Sequence, residues 1–363
     1  MRKKLWHLLW LLVPIGAYSL QAILNNHPEL VENLYSRGVY PVLTKIIGTL
    51  TGWIPFSLVE FLIYLAILSF VITLIVTIVR VIVSSDRLKI LASRVIGLVL
   101  SIGFLYTAFV LGWGLNYARQ PLHTSMGYET QLYSSTQLYE VTVLLAKHAS
   151  QLRTQVEEDE NGYFSMSIDR HAMLAEAAEV YTDHSDDFMN LCSSPRIKPI
   201  TMQNFLSSTN IQGIFSPFTY EPNVNMQMPD LFFASSCLHE YAHLQGFARE
   251  DEAEFLSFYV SYRSDIVDYA YSGTAMALLH ALNTLYGEDP DLHRAAREYV
   301  SADIWADFEQ HSAYWDAFKS PIAEASRELN DNYLQFNRQE DGVKSYGRMM
   351  DIIIAMYTAG DLF

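Results

Sequence analysis

Ser236-Cys237-Leu238-His239-Glu240-Tyr241-Ala242-His243-Leu244-Gln245-Gly246-Phe247-Ala248-Arg249-Glu250-Asp251-Glu252-Ala253-Glu254-Phe255 holds a His-Glu-x-x-His motif with an acidic cluster behind it. On a helix, residues four apart share a face, so His239 and His243 can grip one metal ion. Glu240 follows the first histidine and is placed to take a proton from a water beside that ion. Pro229 and Asp230 are helix-start residues, Leu231, Phe232, Leu238 and Ala242 give apolar support, and Gly246 falls where the helix should stop. Two histidines packed on a core helix are the bland alternative. The start signal, the stop signal and the acids beyond favour the metal.

A catalytic zinc keeps three protein ligands and an open position for water. The longer metzincin pattern, His-Glu-x-x-His-x-x-Gly-x-x-His, matches as far as Gly246 and then fails at Arg249, which cannot bind zinc. The third ligand is therefore expected among the downstream carboxylates, as in the gluzincins. Glu250, Asp251, Glu252 and Glu254 compete. If a second helix starts near Arg249, Glu252 shares a face with Phe255, Leu256 and Tyr259, an apolar and inward face. Glu250 shares one with Glu254, Ser257 and Ser261, which reads as solvated. Asp251 looks toward Phe255 and Phe258 but reaches less far. Periodicity thus selects Glu252, with Glu250 next. Glu252-Ala253-Glu254-Phe255 also resembles the Glu-Ala-Asn-x-Phe segment of compact gluzincins, whose first glutamate binds zinc. Glu254 stands where those have Asn.

Charge and hydropathy divide the 363 residues at about position 120. Residues 1–120 carry ten Lys/Arg and four Asp/Glu, and the remainder carries 14 and 36, giving +6 and −22 within a net −16. So acidic a distal part argues against a nucleic-acid partner and for a solvated body held off anionic headgroups. The apolar excess lies in the first third. Three apolar runs, about 5–24, 56–79 and 95–117, are each long enough to span a bilayer; the first and third are uncharged, and Glu60, the one charge of the second and near its start, is expected at headgroup level. Between them, residues 25–54 read as a surface-lying helix pair, with Tyr35, Tyr40 and Trp53 suited to the membrane–water interface. Arg2-Lys3-Lys4 and the basic link Arg80, Arg87, Lys89 and Arg94 are expected in the cytoplasm, which puts everything after Arg119 outside.

Residues 1–119 thus read as a membrane domain and 120–363 as one largely helical domain with a minor sheet. Short strands are expected at 198–202 and 211–215, and the proline-bearing stretch 216–225 suits an edge strand. Cys192 and Cys237 read as buried thiols; Cys237 points away from the histidine face. Asp265 is a possible orienter of a metal-bound histidine, with a surface role favoured.

Four stretches together resemble an uncharacterised bacterial family of membrane-anchored, zincin-like proteins, domain of unknown function 3810. They are Trp113-Gly114-Leu115-Asn116-Tyr117, Gly213-Ile214-Phe215-Ser216-Pro217-Phe218-Thr219, residues 239–255, and Asp341-Gly342-Val343-Lys344-Ser345-Tyr346. The resemblance implies a fold and a metal but no established substrate. The expected fold class is mainly α, with three transmembrane helices ahead of a zincin-like α+β extracytoplasmic domain. The expected activity is that of a zinc metallopeptidase in a bacterial cell membrane, multi-pass, with Zn2+ on His239, His243 and Glu252 and with Glu240 as base. Tyr346, Arg348 and Tyr220 are the candidates for steadying the oxyanion. The expected partners are a peptide or protein substrate and the lipid bilayer. A non-catalytic zinc-stabilised envelope module, its fourth ligand from Glu250 or Cys192, and a cell-wall peptide amidase are the rival readings.

Overall fold

The computed structural model describes residues 10–130, 132–184, 196–339, 342 and 347–362. It is mainly helical, with 72% of residues in helices and two small sheets. Helix α1 is Leu12–Leu24; a turn at Pro28–Leu30 and a π-wound segment Val31–Val39 lead into α2, Tyr40–Gly52. Helices α3, Leu58–Val83, and α4, Arg87–Gly112, are each 26 residues long. At 1.5 Å per residue each is about 39 Å long, more than a bilayer core requires. Both are apolar enough to cross a membrane, and almost none of the residues in their most apolar stretches are buried in the fold, which points to membrane association. The first expected span corresponds to α1. Its 13 described residues are shorter than a span, and residues 1–9 lie outside the described part. Among the described residues there are therefore two spanning-length helices where the hydropathy runs predict three.

Helix α1 runs beside α4 in the same direction: Gly103 packs against Pro14, and Tyr106 Oη donates to Gln21. Ser57 caps α3 by accepting from Glu60 N. Glu60 is buried, and its carboxylate accepts from the backbone N–H of Thr201 and Met202 and from the Thr201 hydroxyl. It ties the span to the helical body instead of sitting free among headgroups.

The body follows. Helix α5, Ser135–Arg153, opens with a capping box between Ser134 and Gln137. Strands β1 (Glu157–Glu158) and β2 (Phe164–Ser165) make an antiparallel pair ahead of α6, Arg170–Asp183. Strands β3 (Lys198–Pro199), β4 (Gly213–Ser216) and β5 (Glu221–Val224) form a sheet in the order β3-β5-β4, with α7, Gln203–Ser208, inserted between the first two. β3 is parallel to β5 and β4 antiparallel to it, so β4 is an edge. The proline-bearing stretch takes the centre, not the edge. Pro222 is tolerated there because β3 reaches only Asn223 and Val224, leaving Pro222 paired with Phe215 on one side alone.

Helix α8, Phe233–Leu244, is buried along its whole length. It packs on the sheet, on α6, on α9 (Glu250–Arg263) and on α10 (Val267–Glu288). Helices α11 (Pro290–Arg297), α12 (Ala302–Asp316), α13 (Pro321–Phe336) and α14 (Met349–Ala359) complete the body. Phe233, Phe247, Phe255, Phe258 and Tyr241 are fully buried around α8 and α9, each worth roughly 1.5–3 kcal/mol of apolar burial.

Candidate metal centre

Gly246 ends α8 at φ +86°, a conformation that a side chain resists. The N–H of Gly246 donates to the His243 carbonyl at 2.9 Å and that of Phe247 to the Ala242 carbonyl at 3.2 Å, the Schellman pattern. The turn brings the Phe247 carbonyl to 2.7 Å from His243 Nδ1, so that nitrogen is the donor and Nε2 keeps its lone pair. It also sends the chain back, so that α9 starts beside the histidines.

Glu250, the first residue of α9, is placed there. Its N–H donates to Gln339 Oε1 at 3.0 Å, and its carboxylate oxygen Oε2 lies 3.1 Å from His239 Nε2 and 3.4 Å from His243 Nε2. The His239 and His243 rings stand nearly perpendicular with centroids 4.7 Å apart. Among the described residues His239, His243 and Glu250 form a buried group with one ligand atom each, all within 4.8 Å, that could hold a metal ion. The fit is good for a small dication. Ligand atoms about 2.1 Å from one tetrahedral ion lie about 3.4 Å from each other.

Glu252, selected by periodicity as third ligand, is elsewhere. Its Oε1 accepts from Leu122 N at 2.8 Å and pairs with Arg249 at 2.9 Å. The reason is that α9 has no solvated face. Glu250, Ser257 and Ser261 are as buried as Phe255 and Tyr259, and Ser257 Oγ donates to the Ser235 carbonyl of α8 at 2.6 Å. Ser257 makes the close contact with α8, Ser261 packs against Gly273 of α10, and the face that reads as solvated is the face toward the histidines.

A second carboxylate orients His239. Glu254 Oε2 lies 2.6 Å from His239 Nδ1, and Oε1 lies 3.0 Å from His280 Nε2. Such a partner fixes the tautomer and raises the basicity of a ligating imidazole. Glu254 stands on the face that reads as solvated; the i+4 step from Glu250 to Glu254 is the signal that pairs them, and His280 has none in the sequence. Asp265 is exposed and takes no part. Burial resists charge on all these acids, but the imidazoles win. His243 and His239 hold Glu250 well below the ordinary carboxylate range, and His239 and His280 hold Glu254 at about 2. His239 is desolvated, yet Glu254 and Glu250 keep its pKa well above the usual value. A positive charge is thus favoured among these groups.

Glu240 is buried, and its Oε2 has no hydrogen-bond partner among the described residues. Burial pushes its pKa up to about 7, with the histidines pulling down and Glu250 and Glu254 pushing up. Its carboxyl lies on β4: a Cβ on Gly213 would come within 2.6 Å of Glu240 Cγ and Oε1.

Of the oxyanion candidates, Tyr346 lies outside the described residues, as does Cys192. Tyr220 Oη donates to the Gly112 carbonyl, and Arg348 is exposed. Among the described residues, Tyr333 on α13 is a further tyrosine close enough to Glu250 to feel its charge. Burial first, and Glu250 with it, push its hydroxyl up to about 12, while Tyr117 donates to it at 3.1 Å. Cys237 is buried, and desolvation raises its pKa.

The sequence profile of a family described as "Protein of unknown function (DUF3810)" matches residues 35–354. That stretch includes α2 to α4 and every group of the metal centre. No curated protein and no solved structure matches the chain.

Proposed function

The chain belongs to the family of unknown function DUF3810, and from the geometry of its buried site we propose that it is a membrane-anchored zinc metallopeptidase acting outside the cytoplasm. One observation carries this reading: two Nε2 atoms and a carboxylate oxygen converge at 3.1 and 3.4 Å beside the unpartnered Oε2 of Glu240. His239, His243 and Glu250 would hold Zn2+, with Glu254 and the Phe247 carbonyl orienting the imidazoles. A histidine pair with one carboxylate suits zinc and leaves a ligand position for water. When bound, the ion supplies Lewis acidity and makes water a better nucleophile.

The chain's own groups do the rest. Glu240 accepts a proton from the water that adds to the peptide carbonyl carbon. As the C–N bond breaks, Glu240 passes that proton to the departing amine, so the products are a carboxylic acid and an amine, which exchange the remaining proton to become carboxylate and ammonium. Tyr333, paired with Tyr117, donates toward the carbonyl oxygen. β4 offers its free edge to an extended peptide, which adds as a further strand.

The test uses the full-length protein in detergent. Metal analysis is expected to give about one zinc per chain. Glu240→Gln should retain that zinc and cut hydrolysis of a randomised peptide library by about 100-fold or more. Equal cleavage by wild type and E240Q would refute the mechanism, and a metal-free wild type under zinc-replete conditions would refute the site.

A further inference from the structure

The floor of the metal centre is built from the ends of the apolar helices. Trp113 follows directly on Gly112, the last residue of α4. Its ring lies 6.1 Å from the His243 ring, and its Nε1–H donates to the His243 carbonyl at 3.3 Å. Tyr40, the first residue of α2, donates to the Leu244 carbonyl at 3.0 Å. At the start of α3, the N–H groups of Leu58 and Val59 donate to Glu221 in β5, the strand beside β4. Both spanning-length helices therefore end within a side chain of the elements that carry the site.

Helix α2 gives an independent indication of where the bilayer surface lies. Tyr40 ties one end to α8, and the Thr51 carbonyl near the other end accepts from Lys198 in β3. Between and beyond these ties Val39, Val42, Ile46, Leu50 and Trp53 face outward at helical spacing, with Trp53 86% exposed. The apolar surface continues through Phe56 into α3. A helix held at both ends with such a stripe lies in the interfacial plane, tryptophan at headgroup level.

The edge strand links this plane to the chemistry. Gly213 touches Glu240, and Phe215, two residues on, meets the Trp113 ring with centroids 5.5 Å apart. β4 thus runs from the candidate base to the end of α4. A peptide paired along it rises from the bilayer surface to the metal within about four residues at about 3.4 Å each.

We propose that the substrates are membrane-anchored polypeptides, cut in the extended segment just outside their own span. This rests on the peptidase reading. The spacing above, with a few ångströms of headgroup region, places the cut within about ten residues of the span.

The test is cleavage in proteoliposomes of phosphatidylethanolamine and phosphatidylglycerol holding the full-length protein. The probe is a single span of about 20 apolar residues followed directly by a randomised segment. A second probe carries the same segment behind a flexible Gly/Ser spacer of about 30 residues, so it shares the membrane but not the height. E240Q is the control throughout. The expected result is cleavage of the first probe close to its span, with at least about a ten-fold lower rate for the spaced one, although both are equally confined to the membrane. Equal cleavage of the two overturns the inference and leaves the peptidase reading standing. Cleavage of neither probe above the E240Q control removes both.

Discussion

His243 and Phe247 face each other across a single turn of chain, with Nδ1 of the imidazole 2.7 Å from the carbonyl oxygen. The contact exists because Gly246 between them takes φ +86°. The residue that stops the helix is therefore also the residue that sets the tautomer of a candidate ligand.

Gly246→Ala follows from this. A Cβ there would meet Tyr40 Cε1 at 2.9 Å, and the left-handed backbone alone costs about 1–2 kcal/mol for an L side chain. We expect a lower melting temperature together with zinc binding weakened by about ten-fold or more, since the orienting contact is disturbed. Thermal unfolding with and without zinc, and competition against a chelator, measure the two effects separately.

The identity of the third ligand is decided by a pair of substitutions. Glu250→Gln should abolish stoichiometric zinc, because its oxygen is the one shared by both imidazoles. Glu252→Gln should retain zinc and lose about 1–3 kcal/mol of stability through its weakened contacts with Arg249 and Leu122. The reverse pattern of metal contents would restore the periodicity argument for Glu252.

Glu254→Gln tests the orienting carboxylate. The fold should persist, since the amide keeps a hydrogen-bonding oxygen, but zinc affinity should fall by about 10–100-fold. His280→Ala, which removes the far partner of Glu254 at 3.0 Å, should have a smaller effect of the same sign. Metal titration of both variants at fixed pH gives the comparison.

Much of the helical order was legible because caps and periodicity agree: Ser134 opens α5 and Pro321 starts α13. His239, Glu240 and His243 were legible because a four-residue spacing on one helix needs no tertiary knowledge. Glu250 was not. Amphipathic reasoning assumes one wet face, and α9 is enclosed on every side. Tyr333 and Trp113 were out of reach for another reason. Their roles arise from packing between segments far apart in sequence, which hydropathy patterns do not encode.

Acid should destabilise the body through His311. It is buried, accepts from Trp315 Nε1–H at 3.0 Å, and is held down at about pKa 4 by desolvation. Its ordinary value is about 6.5, so below that pH the unfolded chain binds a proton that the folded chain refuses. Stability is full above about pH 6.5, declines as pH falls, and levels off below about pH 4, for a loss of at most about 3 kcal/mol. His311→Phe should flatten that part of the slope; melting temperatures of both proteins across the range provide the check.

The last turn of α8 has its carbonyls taken by Tyr40 and Trp113, and Arg119 donates to the carbonyl of Gly246. All three donors precede the hydropathy boundary at which a biochemist would cut to obtain a water-soluble fragment. Shortening the gene at that boundary would strip the helix that carries His239 and His243 of its underside, so studies of the isolated distal fragment would sample a crippled scaffold. Detergent or nanodisc preparations of the entire polypeptide are the appropriate starting material.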